Sequence, residues 1–280
     1  PSFGKLALKR ASRSGPLRVL KRLVISLRGS TGNLIRAGIW AFRKTEDSNF
    51  YYDLEPRNKR HLAHFLANSL EVELSLIEKY IKELEDNEVF RRFIRDFQAS
   101  SPSLRHSKIH PGRRIAWYVI ARVRKPSIIL ETGVHQGLGG LVLSLALMKN
   151  ESEGHLGSYI GTDIDERSGG MFSEMNFDRA QVLIGDSIES ISSLNAAIDL
   201  YISDSDHSSG YELQELIAVE SILSDSGLVV SDNSHATDVL MNWSEENRRN
   251  FAFFRELPEN HWYPGAGLGL SWSNESRDAR

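Results

Sequence analysis

One stretch constrains this chain more than any other: a short apolar run, a glycine turn and a second apolar segment. Residues 127–130 contain the run Ile-Ile-Leu, which is typical of a strand covered on both faces in a parallel sheet. Gly133 and Gly137 follow, and glycine lets the backbone turn sharply and approach a ligand closely. A helix predicted over residues 138–147 begins next, so its free N–H groups face whatever the turn holds. The stretch therefore predicts a ligand-binding strand, turn and helix.

Length and composition exclude several classes of protein. The chain has 280 residues, of which 40% are hydrophobic and 25% are charged, as expected for a globular protein with a full core. It has no cysteine, which excludes disulfides, thiolate metal sites and cysteine nucleophiles. We find no apolar run of membrane-spanning length and no signal peptide, so we expect a cytoplasmic protein.

The charge is distributed unevenly. Residues 1–45 contain eleven Lys or Arg and no acid, so the other 235 residues carry a net charge of −14. Apolar residues recur at helical spacing between residues 17 and 27, which predicts a basic amphipathic arm. Two interpretations stay open: weak peripheral contact with an anionic membrane, or packing on the acidic body or on a second subunit. An exposed extension of this kind is also compatible with a homodimer, and we expect no nucleic-acid partner.

The rest of the chain divides into a helical segment, a core domain and a tail. Residues 46–104 are predicted as a lid or extension: a loop to residue 58, then two or three amphipathic helices. Residues 105–273 are predicted as the core domain, and 274–280 as the tail. Helices are predicted at 113–124, 138–147 and 211–223, with a weak helical signal at 167–178. Strands are predicted at 127–130, 158–162, 181–184, 200–203, 228–231, 251–257 and 268–272.

This alternation predicts an α/β fold: a doubly wound, seven-stranded, mainly parallel sheet with an N-terminal helical extension. The connection between the last two strands is too short for a crossover helix, so we expect the last strand to be antiparallel.

The acid and glycines of residues 131–137 read Glu-x-Gly-x-x-x-Gly, and not the G-x-G-x-x-G of dinucleotide folds. Residues 131–137 resemble the first motif of the class I S-adenosylmethionine (SAM) dependent methyltransferases, and the resemblance extends over about residues 105–273.

The resemblance implies the cofactor site. Glu131, Gly133 and Gly137 would form the SAM turn, and Asp163, at the end of the second strand, would hold the ribose hydroxyls. Asp165 is an alternative for that role. The resemblance also places Asp186 and Ser187, after the third strand, beside the adenine amino group. Each of these acids is also compatible with a helix N-cap or a surface position.

A second resemblance concerns a metal. Asp204, Asp232 and Asn233 resemble the Mg²⁺ site of the catechol and caffeoyl-coenzyme A O-methyltransferases, and hard oxygen ligands favour Mg²⁺ or Mn²⁺ over zinc. His207 follows Asp204 by three residues, where the catechol-type enzymes carry a catalytic lysine. With Asp204 it would form the catalytic pair, His207 removing the proton from the acceptor hydroxyl. A metal-free reaction with His207 or His235 as the base also stays open.

Residues 198–207 are similar to those of bacterial methyltransferases of sugar, polysaccharide and antibiotic pathways, including macrolide-sugar O-methyltransferases. Asn233 departs from the second aspartate common in that group, and Gly139 and Gly140 lack its hydroxyl for the SAM carboxylate. Backbone N–H groups or a side chain of helix 113–124 would then take that role. The resemblance implies Mg²⁺-assisted methyl transfer from SAM to a hydroxyl of a small molecule, a sugar or a natural-product or polysaccharide precursor. Alternatives are an NAD(P)-dependent oxidoreductase and a non-catalytic binding or scaffold protein.

Overall fold

The computed structural model describes residues 19, 22–23, 34–42, 51–101, 109–173, 175 and 177–273. The tail 274–280 and most of the basic arm 1–45 lie outside this set. Among the described residues, no helix combines the length and the apolar character that crossing a membrane requires.

The chain divides into two compact units. The smaller unit comprises Pro1–Lys44 and Asn260–Tyr263. Its described part includes a helix over residues 34–41, and the ring of Trp40 lies 5.3 Å from that of Trp262. The larger unit, Thr45–Glu259 with Pro264–Arg280, contains the sheet and the predicted site residues.

The sheet of the larger unit has seven strands in the order β3-β2-β1-β4-β5-β7-β6. Strands β1 to β5 pair in parallel, and β7 lies between β5 and β6 and is antiparallel to both. The predicted seven-stranded, mainly parallel sheet is therefore confirmed, with its reversed last strand. The strands are β1 (Ile128–Thr132), β2 (Ser158–Asp163), β3 (Ala180–Ile184), β4 (Ile198–Ser203), β5 (Leu223–Ser231), β6 (Asn250–Arg255) and β7 (Gly267–Trp272).

The helices of the larger unit precede the sheet and connect its strands. Three amphipathic helices precede the fourth, as the sequence predicts. The helices are α1 (Pro56–Leu70), α2 (Leu74–Glu85), α3 (Glu88–Ser100), α4 (Arg114–Arg124), α5 (Leu138–Ser152), α6 (Ser187–Ser193), α7 (Ser209–Glu220) and α8 (Val239–Glu246). A 3₁₀ turn, Asn233–His235, follows β5.

Several local predictions need correction. The described residues of 167–178 form turns and coil, not a helix. Leu223, predicted to end a helix, begins β5, which is longer than expected and shifts register opposite Ile198/Leu200. Helices α6 and α8 were not predicted, because seven or eight residues span only two helical turns and give little periodicity.

The loop before α1 is also different from its prediction. We expected the loop to extend to residue 58, but Pro56 is the first residue of α1, where proline's missing N–H costs nothing. Tyr51, Tyr52 and Leu54 are buried, and Leu54 forms a β-bridge with Pro258. This loop is therefore part of the core and not a spacer.

Helix α4 is nearly all buried and packs against α5. Its N-cap is Arg113 and its first residue is Arg114. Both arginines therefore lie at the carboxyl edge of the sheet, where ligands bind in open parallel sheets.

Candidate functional site

A cavity of about 610 Å³ opens where the parallel strands end. Its volume lies in the range of small-molecule sites. Six of the predicted site residues line it, and they come from the loops after β1, β2, β3 and β4. They are Gly133, Asp163, Asp186, Ser187, Asp204 and His207. Glu131, Gly137, Asp232 and Asn233 are not among its lining residues.

The turn after β1 requires its glycines. Gly133 has φ +83°, and a Cβ atom on it would lie under 3.0 Å from the carbonyl oxygen of Asp204. Gly137 has φ +91°, and its Cβ would lie 2.7 Å from Gly169 Cα. Both positions are therefore closed to other residues by strain and by contact. The turn packs tightly against neighbouring loops. Of its two glycines, Gly133 lines the cavity and Gly137 does not.

Glu131 is buried beside the first turn of α5 rather than exposed in the cavity. It accepts a 2.6 Å hydrogen bond from the hydroxyl of Tyr159. Burial raises the pKa of Glu131 to about 7. Its carboxylate fills the space beside Gly139, while Gly140 faces the ring of Phe172. The chain therefore has no room for a hydroxyl side chain at either glycine.

Asp163 ends β2 and lines the cavity. Its two carboxylate oxygens accept backbone hydrogen bonds from His135 (2.7 Å) and Asp165 (2.9 Å). Each oxygen keeps a lone pair for a ligand. Asp165 does not line the cavity and is bonded to Arg167 instead, at 2.9 Å and 3.0 Å. The structure therefore places Asp163, and not Asp165, at the cavity wall.

Asp186 is both an N-cap and a cavity residue. It caps α6 through the backbone N–H groups of Ile188 (2.9 Å) and Glu189 (3.0 Å), and these bonds help to lower its pKa. Its second oxygen accepts a 2.9 Å bond from the hydroxyl of Tyr211. Ser187 Oγ lies 2.9 Å from the same hydroxyl.

Tyr211 lines the cavity and was missed by the sequence analysis. It stands in the first turn of α7, where an aromatic residue reads equally well as part of the core. The sequence alone contains no signal that its hydroxyl would reach the loop after β3.

The acidic residues after β4 and β5 come together with the candidate base. Ligand atoms of Asp204, His207 and Asp232 all lie within 4.8 Å of one another. Burial raises the pKa of Asp204 well above its usual range, and the charge of Asp232 acts in the same direction. Asn233 is buried, and its amide nitrogen donates a 3.2 Å bond to the carbonyl oxygen of Asp206.

Two arginines that were not among the predicted site residues, Arg113 and Arg114, lie against these acids. Arg113 is buried, lines the cavity and pairs through Nε and Nη2 with both carboxylate oxygens of Asp232. Its Nη2 also lies 3.8 Å from Asp204. Arg114 Nη2 lies 3.5 Å from the other Asp204 oxygen, and its guanidinium stacks over Trp117 at 5.2 Å. The only sequence signal was an Arg-Arg pair at the start of a predicted helix.

This arrangement does not fit the predicted Mg²⁺ site. Asp204 and Asp232 have carboxylate oxygens close to each other, and Asn233 follows Asp232 in the chain, but both oxygens of Asp232 already face a guanidinium. A divalent cation bound to Asp232 would have to displace Arg113 or accept its positive charge at contact distance.

His235, the alternative base of the metal-free reaction, is not among the residues that line the cavity. His235 Nδ1 is 2.8 Å from the carbonyl oxygen of Asp232, and His235 is half-buried. His261 belongs to the smaller unit, where its ring stacks on that of Trp262 at 5.8 Å.

Comparisons with known proteins agree with this geometry. Residues 130–234 match the family model described as a methyltransferase domain. No curated protein matches the chain significantly. Among solved structures, a Podospora anserina methyltransferase bound to S-adenosylhomocysteine is 17% identical, with a TM-score of 0.50 over 67% of this chain and 89% of that one.

Two further solved structures are similar. The Streptomyces achromogenes O-methyltransferase involved in tomaymycin synthesis, in complex with SAM, is 14% identical, with a TM-score of 0.48 over 67% of this chain and 90% of that one. The Bacillus cereus O-methyltransferase in complex with S-adenosylhomocysteine is 11% identical, with a TM-score of 0.49 over 76% of this chain and 97% of that one.

The matched family segment contains the glycine turn, Asp163, Asp186, Asp204 and Asp232. The sheet around it has the reversed β7 that the methyltransferase resemblance predicted. Residues 130–234 therefore match a methyltransferase domain, and the sheet that contains them has the class I methyltransferase fold.

Proposed function

We propose that the protein transfers a methyl group from SAM to a hydroxyl oxygen of a small molecule. The observation that carries this proposal is that His207 and Asp204 share one cavity wall with Asp163 and Asp186. One cavity thus holds a base and the residues suited to a nucleoside.

SAM supplies an electrophilic methyl group when it is bound. On the donor side, Asp163 is suited to the ribose hydroxyls, because a carboxylate accepts hydrogen bonds from both. Asp186 and Ser187 are suited to the adenine. Thr162 Oγ1 is buried beside the cavity with no hydrogen-bond partner among the described residues, which supports a polar ligand there. Arg114 is the side chain best placed for the SAM carboxylate.

His207 is proposed as the general base. Its ring is exposed, lines the cavity and lies beside Asp204. It would take the proton from the acceptor hydroxyl, because an alkoxide or phenolate attacks a methyl group far faster than a neutral alcohol does. Asp204 lies beside the imidazole and would help to hold the ring in position. The chain's main contribution beyond this proton transfer is to hold the two reactants in line.

The acceptor is proposed to be hydroxyl-rich, such as a sugar or a natural-product or polysaccharide precursor. Support comes from the polar lining near His207, which includes Ser205, Asp206 and Tyr211. The Mg²⁺ assistance that the sequence suggested stays a prediction. The pairing of Arg113 with Asp232 argues against it, so no step proposed here uses a metal.

The test begins with binding. S-adenosylhomocysteine should raise the melting temperature and give a one-to-one calorimetric isotherm, whereas NAD should do neither. Release of S-adenosylhomocysteine from SAM is then measured with a panel of sugar, phenol and polyketide-type alcohols. Stabilisation by NAD alone would favour an oxidoreductase. Tight binding of S-adenosylhomocysteine without turnover on any acceptor would favour a non-catalytic role.

A further inference from the structure

A buried guanidinium occupies the acidic site. We propose that Arg113 takes the place of the divalent cation in this domain, so that the wild-type protein binds neither Mg²⁺ nor Mn²⁺ between Asp204 and Asp232. The inference rests on the proposed function only in treating these acids as part of the reaction site, and cation binding can be measured without turnover.

Arg113 and Asp232 form a buried ion pair. Nη2 donates a hydrogen bond to one oxygen of the Asp232 carboxylate, and Nε lies in ion-pair contact with the other oxygen, so two guanidinium nitrogens face one carboxylate. Both side chains are buried, Arg113 at 7% and Asp232 at 1% exposure. Separating them would leave two uncompensated charges out of water, which is strongly unfavourable. A cation from solution therefore competes with a partner that is already held in place.

The charges around Arg113 explain why it stays there. Asp232 and Asp204 face its head group, and Glu256, which is fully buried and bonded to the hydroxyl of Tyr52, contributes a further negative charge. Burial alone would lower the pKa of Arg113, but these charges raise it well above the ordinary value. Arg113 therefore remains a cation wherever the protein is folded.

The position of Arg113 also excludes a second cation. Metal-ligating atoms of Asp204, His207 and Asp232 lie within 4.8 Å of one another, so an ion bound by all three would lie among them. Arg113 Nη2 already lies 3.8 Å from Asp204 and is bonded to Asp232. With Arg113 in place, the site keeps a permanent positive charge, and both oxygens of Asp232 lie against the guanidinium, one in a hydrogen bond and the other in ion-pair contact.

The experiment measures thermal unfolding with and without MnCl₂, after dialysis against EDTA. Wild-type protein should change its melting temperature by less than about 1 °C. Arg113→Ala should melt lower without metal, because it leaves the buried Asp232 without its cation. Mn²⁺ should then raise its melting temperature by about 5 °C, since the acids can bind the ion.

Three further measurements keep the result interpretable. The double variant Arg113→Ala/Asp232→Asn should lose the Mn²⁺ response. Arg249→Ala removes a half-buried arginine whose partners are Ser271 and the carbonyl oxygen of Gly227, and it should melt lower with no Mn²⁺ response. Electron paramagnetic resonance of Mn²⁺ with wild-type protein should show only the free ion, which is informative even if Arg113→Ala fails to fold.

Two outcomes would overturn the proposal. One is stoichiometric Mn²⁺ binding by wild-type protein that Asp232→Asn abolishes. The other is a folded Arg113→Ala protein that shows no Mn²⁺ response. Neither depends on methyl transfer: if S-adenosylhomocysteine fails to bind while the Mn²⁺ results are as expected, the proposed function fails and the assignment of Arg113 stands.

Discussion

Gly139 in α5 and Glu131 in β1 lie so close that a Cβ atom on Gly139 would stand under 3.0 Å from Glu131 Oε1. The same Cβ would meet the ring of Trp117 at 2.6 Å. A glycine in a helix normally weakens it, so this position is explained by packing rather than by helix propensity. The contact between Gly139 and Glu131 explains why this chain has a glycine at position 139 and not a residue with a hydroxyl group: the buried carboxyl group of Glu131 occupies the space.

Gly139→Ala should therefore destabilise the protein by about 1–3 kcal/mol through overpacking. The matched control is Gly210→Ala in α7, where nothing lies within 4 Å of the new methyl group. That change should stabilise the helix by up to about 1 kcal/mol. Urea unfolding of both variants measures the difference, and equal effects of the two changes would contradict the packing argument.

Glu131 should make stability depend on pH. Burial raises its pKa from an ordinary 4.5 to about 7, so between those values the folded state holds a proton that the unfolded state releases. Stability therefore falls as the pH rises from about 4.5 to about 7 and then levels off. Glu131→Gln, which can still accept the Tyr159 hydrogen bond, should match wild type at low pH. Above pH 7 it should be more stable by as much as about 3 kcal/mol. Parallel pH profiles of the two proteins would refute this.

Asp163 and Asp165 provide a matched pair two residues apart. Asp163→Ala should weaken binding of S-adenosylhomocysteine by about 10–100-fold, because it removes a charged hydrogen-bond acceptor from the cavity wall. Asp165→Ala loses only an exposed pair with Arg167 and should change the affinity by less than about threefold. Calorimetry measures both. A larger loss for Asp165→Ala would transfer the ribose role to that residue.

His207→Ala should lower kcat by about 10²–10⁴-fold, because it removes the proposed base. Its affinity for S-adenosylhomocysteine should stay close to that of wild type, since the proposed nucleoside contacts involve Asp163 and Asp186. His155→Ala, an exposed histidine outside the cavity lining, serves as the control and should retain wild-type turnover. Full activity of His207→Ala on an accepted alcohol would exclude His207 as the base.

The sheet was predictable because each of its parallel strands has a local signal. The buried runs of β1 and β4 are continuous and apolar, and polar residues follow them at once. The six predicted residues that line the cavity were predictable for the same reason, because the carboxyl ends of parallel strands meet at one edge. The reversed β7 followed from the short connection before it.

What the sequence could not predict depends on contacts between distant residues. Arg113 reads as an ordinary surface cation at a helix start, and only the packing of α4 on α5 carries it to Asp232, 119 residues away. Tyr52 reads as a linker residue, but its hydroxyl meets Glu256 across 204 residues. No short motif encodes such pairings. The sequence therefore could not predict that Arg113 occupies the position proposed for a metal ion.

The contact of Gly133 with the carbonyl oxygen of Asp204 has a practical consequence for redesign. The loop that follows β1 packs against the loop that follows β4 so closely that a methyl group on Gly133 would not fit between them. Libraries that diversify Ser205 and Asp206 in search of new acceptors should therefore keep Gly133 unchanged, together with the proposed catalytic pair Asp204 and His207.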